Sequence, residues 1–137
     1  MTTFLIIITL GFIAGNTIYF FRQDVNEKGA FDPRFFLKLL LSMTGVLIGF
    51  AFLYYFLNTQ GTILVFTLSG MKDVTPTFLD LLYFSGETLI SVGYGDMVPV
   101  GPTRFFAILE AMIGVLMPTA FFVKTVTNKE KKESENG

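Results

Sequence analysis

From Thr3 to Phe21 the chain runs for 19 residues without a charged side chain. At about 1.5 Å of rise per residue, a helix of that length crosses roughly the 30 Å hydrocarbon core of a bilayer. Inside that core only a helix or a closed barrel satisfies its own backbone. Two further runs behave alike. Phe35 to Leu57 is charged only at Lys38, whose long stem reaches the interface, and Phe105 to Val123 is charged only at Glu110. The sequence therefore predicts three spanning helices and an all-α integral membrane fold. A cleaved leader is the lesser reading of the first run, because no Lys or Arg precedes it and no Ala-x-Ala site follows it.

Composition narrows the function. Charged residues make up 15% of the 137 positions, against about a quarter in a soluble domain, and the mean hydropathy is +0.61. A chain of this size that spends three segments on the bilayer has no room for a separate catalytic domain, so an enzyme is not expected. Histidine and cysteine are both absent, which removes imidazole acid–base chemistry, Cys/His zinc sites and thiol nucleophiles. A formal net charge of −1 argues against nucleic acid as a partner.

Between the second and third spans lies a stretch that cannot cross. Thr75-Pro76 reads as an N-cap followed by a proline in the first turn, opening a helix over residues 75–89 that is too short to span. The glycine-punctuated run Ser91-Val92-Gly93-Tyr94-Gly95-Asp96 follows it. Non-helical backbone at membrane depth is tolerated only when buried in protein or beside a water-filled path, so this segment reads as a re-entrant loop. The preceding helix would direct its partial negative end, about half a charge, toward that path.

Basic residues set the orientation. Arg22, Lys28, Arg34 and Lys38 surround the first connection, residues 23–34, and Lys124, Lys129, Lys131 and Lys132 follow the third span. Those segments are expected in the cytoplasm, with the N-terminus and the connection over 58–74 outside a multi-pass protein of the cell membrane. Residues 127–137 form a Lys/Glu-rich tail that reads as disordered.

The run Thr88-Leu89-Ile90-Ser91-Val92-Gly93-Tyr94-Gly95-Asp96 resembles the signature of potassium channels. The resemblance extends over about residues 35–126. It implies an outer helix at 35–57, a turret at 58–74, a pore helix at 75–89, a selectivity filter at 91–96 and an inner helix at 103–126. Residues 1–22 remain as an additional N-terminal helix. It further implies a fourfold homotetramer, K+ as the transported ion, and a filter built from Ser91, Val92, Gly93, Tyr94 and Gly95. The ligands would be the carbonyls of Ser91, Val92, Gly93 and Tyr94 plus the Ser91 hydroxyl. The spacing has its own physics: consecutive carbonyls face one axis only where residues accept left-handed dihedrals, as Gly93 and Gly95 do. Two departures from the usual pattern are serine for threonine at Ser91, and Tyr83 and Phe84 where tryptophan is frequent. Glu87 and Asp96 resemble the carboxylate pair found behind some filters. As neighbours in a partly buried site they are expected to share a proton, and Tyr83 joins them as filter support.

In the third span Gly114 matches the glycine at which many inner helices bend, and Pro118 removes a backbone donor one turn later. By helical spacing Val115, Thr119 and Phe122 line a cavity, with Phe122 as a hydrophobic constriction. Glu110 is expected to hydrogen-bond to the pore helix at a subunit contact. Gly11-x-x-x-Gly15 and Gly45-x-x-x-Gly49 suggest that the first span docks closely on the second. No Arg-x-x-Arg repeat, nucleotide loop or EF-hand is present, so a regulatory partner is left unidentified. The partners expected are further copies of the chain and membrane lipid. Passive potassium conduction is the leading function; a non-conducting or regulatory pore subunit, or a potassium-transporter subunit, is the alternative.

Overall fold

The computed structural model of the chain describes residues 1–22, 33–67 and 75–135. Its elements are α1 (Thr2–Arg22), α2 (Pro33–Asn58), β1 (Leu64–Phe66), α3 (Phe78–Leu89), β2 (Met97–Pro99) and α4 (Thr103–Glu135). Helices α1, α2 and residues Thr103–Thr127 of α4 are each long and apolar enough to cross a membrane. The expected connection over 23–34 lies outside the described residues except for Pro33 and Arg34, which open α2, and most of the turret (68–74) lies outside them too.

Helix α2 forms the centre. Leu39, Val46, Phe50, Leu53 and Tyr54 are buried along one face, where they meet Leu81 and Phe84 of α3 and Met117 of α4. Helix α1 docks on α2 through a narrower stripe, Thr9, Ile13, Asn16 and Phe20, while Phe4, Ile7, Ile8 and Phe12 stay exposed. The glycine pairs behave asymmetrically. A Cβ on Gly45 or Gly49 would meet Asn16 or Ile13, whereas Gly11 and Gly15 have open space beside them. Docking therefore uses the small residues of α2 only, and Asn16 fits the notch at Gly45. There Asn16 Nδ2 donates to the Ser42 carbonyl at 3.2 Å and Asn16 Oδ1 accepts from the Ser42 hydroxyl. In an apolar span such a polar pair fixes rotation of one helix on the other.

One end of the bundle is tied by aromatic rings. Phe35 stacks between Phe20 of α1 at 6.2 Å and Phe121 of α4 at 5.0 Å. Lys124 of α4 donates to the Phe21 carbonyl at 2.8 Å, in the last turn of α1, where unpaired carbonyls and the helix dipole favour a cation.

Two element boundaries and one added element differ from expectation. Helix α3, expected as a pore helix from Thr75, caps at Thr77 instead: the Thr77 hydroxyl accepts from the Asp80 N–H and the Asp80 carboxylate accepts from the Thr77 N–H. This reciprocal capping box satisfies two orphan donors, which a cap at Thr75 would not. The tail expected to be disordered continues α4 as helix to Glu135. Lys and Glu are strong helix formers, and extending an existing helix avoids the cost of nucleation. Finally, β1 and β2 add a small antiparallel sheet with Leu64 opposite Pro99, Val65 opposite Val98 and Phe66 opposite Met97.

Candidate functional site

Helix α3 ends in a Schellman arrangement. The Ser91 N–H bonds the Thr88 carbonyl at 3.0 Å and the Val92 N–H bonds the Glu87 carbonyl at 2.9 Å. Such an ending needs one residue in the left-handed region, and here that residue is Ser91, at φ +56°. Serine accepts this more readily than a β-branched threonine would. The departure at Ser91 thus has a local cause.

Beyond Ser91 the backbone alternates. Gly93 has φ +57° and Gly95 has φ +78°, with Val92 and Tyr94 on the ordinary negative side. In a uniform strand successive carbonyls alternate between faces; reversing the sign of φ at every second residue turns them all to one face. The dihedrals expected of Gly93 and Gly95 are present, and Ser91 starts the same series. Among the described residues nothing donates to the carbonyls of Ser91, Val92, Gly93 or Tyr94. The Gly95 carbonyl differs, accepting from the Thr67 hydroxyl at 2.7 Å. Gly95 therefore contributes its dihedral, and its oxygen anchors the outer end of the strand. The Thr67 N–H adds a bond to the Asp96 carbonyl at 2.9 Å, so the residue just after β1 holds this end of the run.

Side chains brace the strand from behind. Glu87 Oε2 accepts from the Tyr94 N–H at 3.1 Å, and the Tyr83 ring stacks on the Tyr94 ring at 6.3 Å with planes 11° apart. The Tyr83 hydroxyl bonds Asp96, taking the donor role open to tryptophan at this position; partial burial and the Asp96 charge push it above its ordinary pKa. Burial, opposed by the Tyr94 N–H and reinforced by the Asp96 charge, pushes the Glu87 carboxyl up. The expected direct sharing of a proton between Glu87 and Asp96 is not what the geometry holds. Among the described residues no hydrogen bond joins them: Glu87 turns to Tyr94, and Asp96 turns to Tyr83 and to the Met97 N–H. They act on one another through charge alone.

Beneath the strand, α4 packs against α3. Gly114 lies against the Leu89 carbonyl so closely that any Cβ there would overlap it. Pro118, four residues on, has no N–H to offer the Gly114 carbonyl, so the close-packed glycine also lacks its helical donor. Val115 and Phe122 are exposed on the protomer, on the side of α4 away from α2 and α3, and the Thr119 hydroxyl bonds back to the Val115 carbonyl at 2.7 Å.

Glu110 is fully buried. It accepts from the Tyr54 hydroxyl at 2.6 Å through Oε2, and Oε1 lies within bonding distance of the Ser85 hydroxyl, which also sits 2.9 Å from the Leu47 carbonyl. Glu110 does reach α3, the helix expected to be the pore helix, but inside one protomer rather than at a subunit contact. Tyr54, Ser85, Thr67 and Asn16 were not marked by sequence reasoning. Depth matching offers a signal for Tyr54, which stands one turn before the end of α2 as Glu110 stands two turns after the start of the antiparallel α4.

A family model described as an ion channel matches residues 42–129, well over half of the chain. A protein named LctB from Bacillus caldotenax is 45% identical over 84 residues, which cover 59% of this chain and 62% of that protein. A protein of the same name from Geobacillus stearothermophilus is 41% identical over 90 residues, covering 64% of this chain and 66% of that protein. The chain thus spans just under two thirds of the length of these curated relatives. No solved structure matches.

Proposed function

The chain belongs to this ion-channel family, and from that premise we propose that it is the pore subunit of a potassium-selective channel in which four copies surround one axis. The observation that carries the reading is the sign alternation of φ at Ser91, Gly93 and Gly95, together with four consecutive carbonyls that have no internal donor. Stacked rings of neutral oxygens replace the hydration shell of a monovalent cation while binding it weakly enough for release. K+ is then the transported substrate, held by the carbonyls of Ser91 to Tyr94 and the Ser91 hydroxyl.

Exposure around the strand supports assembly. Tyr94 is 70% exposed and Ile90 63% exposed on the isolated protomer, apolar surface beside a polar strand that further copies would cover. The exposed apolar face of α1 suits lipid. Arg22 ends α1 and Lys124 lies at the same end of the bundle, which supports a cytoplasmic location for that end and an outside N-terminus.

The test is flux. The full chain is purified, reconstituted in liposomes, and compared for K+ and Na+ permeation. Selective K+ flux is expected; equal permeation of the two ions overturns the reading.

A further inference from the structure

Glu110 reaches two elements at once. Its carboxyl meets Tyr54 of α2 and Ser85 of α3, and one helical turn further on Gly114 meets Leu89. Ser85 and Leu89 are four apart on α3, as Glu110 and Gly114 are four apart on α4. The two helices are therefore held at two successive turns in one register, by a polar contact and then by a backbone contact. Leu89 lies two residues before Ser91, and the Schellman bonds to Ser91 and Val92 make the end of α3 and the start of the carbonyl strand a single rigid piece.

The hydrogens around Glu110 can be counted. Ser85 has one hydroxyl hydrogen but two oxygens within reach, the Leu47 carbonyl and Glu110 Oε1. If Ser85 donates to Leu47, the contact with Oε1 is a hydrogen bond only when Oε1 itself carries a proton. Tyr54 has one hydrogen as well, and spends it on Oε2. The count closes with every contact satisfied in one arrangement: Tyr54 donates to Oε2, protonated Oε1 donates to Ser85, and Ser85 donates to Leu47. A deprotonated Glu110 would leave one of the two contacts, Ser85 with Leu47 or Ser85 with Glu110, as a pair of oxygens facing one another without a hydrogen.

We propose that Glu110 is a positioning residue, an uncharged acid whose donor–acceptor pair clamps the inner helix to the pore helix and thereby seats the base of the carbonyl strand at Ser91. This rests on the proposed filter only for its functional readout. The clamp belongs to the protomer whichever ion passes.

A glutamine at this site copies the arrangement, its amide donating to Ser85 and its carbonyl accepting from Tyr54, whereas an aspartate is too short and an alanine offers nothing. The experiment compares the full-length channel with Glu110→Gln, Glu110→Ala and Ser85→Ala in liposomes. Single-channel conductive dwell times and K+/Na+ permeability ratios are recorded, and infrared spectra of the purified proteins are taken in parallel. Glu110→Gln is expected to keep both electrical measures within about twofold of the parent. Glu110→Ala and Ser85→Ala shorten conductive dwells by about tenfold, the effect of leaving a buried polar partner unmet. The parent-minus-Glu110→Gln infrared difference shows a protonated-carboxyl C=O band. A Glu110→Gln channel as impaired as Glu110→Ala, or a difference spectrum with only carboxylate bands, overturns the proposal. If Glu110→Ala does not assemble, Ser85→Ala and the infrared arm decide. A parent channel that fails to distinguish K+ from Na+ sinks the filter reading but leaves the infrared result to judge Glu110.

Discussion

Gly114→Ala sets two magnitudes of opposite sign against each other. In a helix interior alanine is favoured over glycine by about 1 kcal/mol, so propensity alone predicts a firmer α4. Against this, the new Cβ would stand 2.7 Å from the Leu89 carbonyl carbon and 3.2 Å from its Cα. Overpacking of this kind costs about 1–3 kcal/mol when neighbours yield. Leu89 yields poorly, because its displacement carries Ser91 and Val92 with it through their bonds to Thr88 and Glu87. The clash therefore outweighs propensity by about 1 kcal/mol or more per subunit, and by about 4 kcal/mol across the four copies of the proposed assembly if they add. The assay is heat-induced dissociation of the purified oligomer followed by gel filtration, with K+ flux measured on the same preparation. The expected result is a lower dissociation temperature together with reduced flux. An unchanged or raised dissociation temperature with parental flux would refute the reasoning, since α4 would then have room that the contact denies it.

Gly93→Ala should abolish flux in liposomes, because a Cβ at a left-handed position costs about 1–2 kcal/mol and the four strands of the proposed pore would meet it together. For Glu87, burial and the Asp96 charge outweigh the Tyr94 N–H and favour the protonated form in the folded protein, so the stability linked to this site is complete below the ordinary carboxylate range and is lost as pH rises through the elevated value. Conductive dwell times should shorten as external pH rises through that window, and Asp96→Asn should move the window down; recordings in which Asp96→Asn moves it up would contradict the charge argument. Asn16→Leu removes both bonds to Ser42 and overfills the notch at Gly45, weakening the seat of α1 by about 1 kcal/mol. With no native cysteines to interfere, slower disulfide formation between Ile13→Cys and Gly49→Cys in the Asn16→Leu background would register it.

The spans were legible because a charge-free run long enough to cross hydrocarbon admits few alternatives, and Gly93 and Gly95 were legible because glycine marks left-handed backbone. Ser91 was not, since its dihedral follows from how α3 ends rather than from its own side chain. The cap at Thr77 was hidden behind a stronger-looking Thr-Pro pair, although Thr77 and Asp80 carry the capping-box spacing. The β1–β2 ladder was illegible for another reason: three-residue strands have no periodicity to read, and their partners lie more than 30 positions apart. The same separation hid the partners of Glu110, whose need for hydrogen bonds was evident while Tyr54, 56 residues away, was not. Asp96 and Glu87 illustrate the limit of resemblance, for the two carboxylates are present but their bonds go to Tyr83 and Tyr94.

The stacked rings of Phe20, Phe35 and Phe121, with Lys124 hooked to the end of α1, change what moves if α4 swings below Pro118. With that stack intact the swinging arm is not one slender helix but a wedge three helices thick. A slender rod turning inside a bundle displaces little but its neighbours. A wedge whose outer flank is the exposed apolar face of α1 pushes aside hydrocarbon chains as it moves, so the work of turning includes the lateral pressure of the surrounding lipid. Were α4 to bend there, bilayer thickness and tension would enter the energy of the swing as mechanical loads.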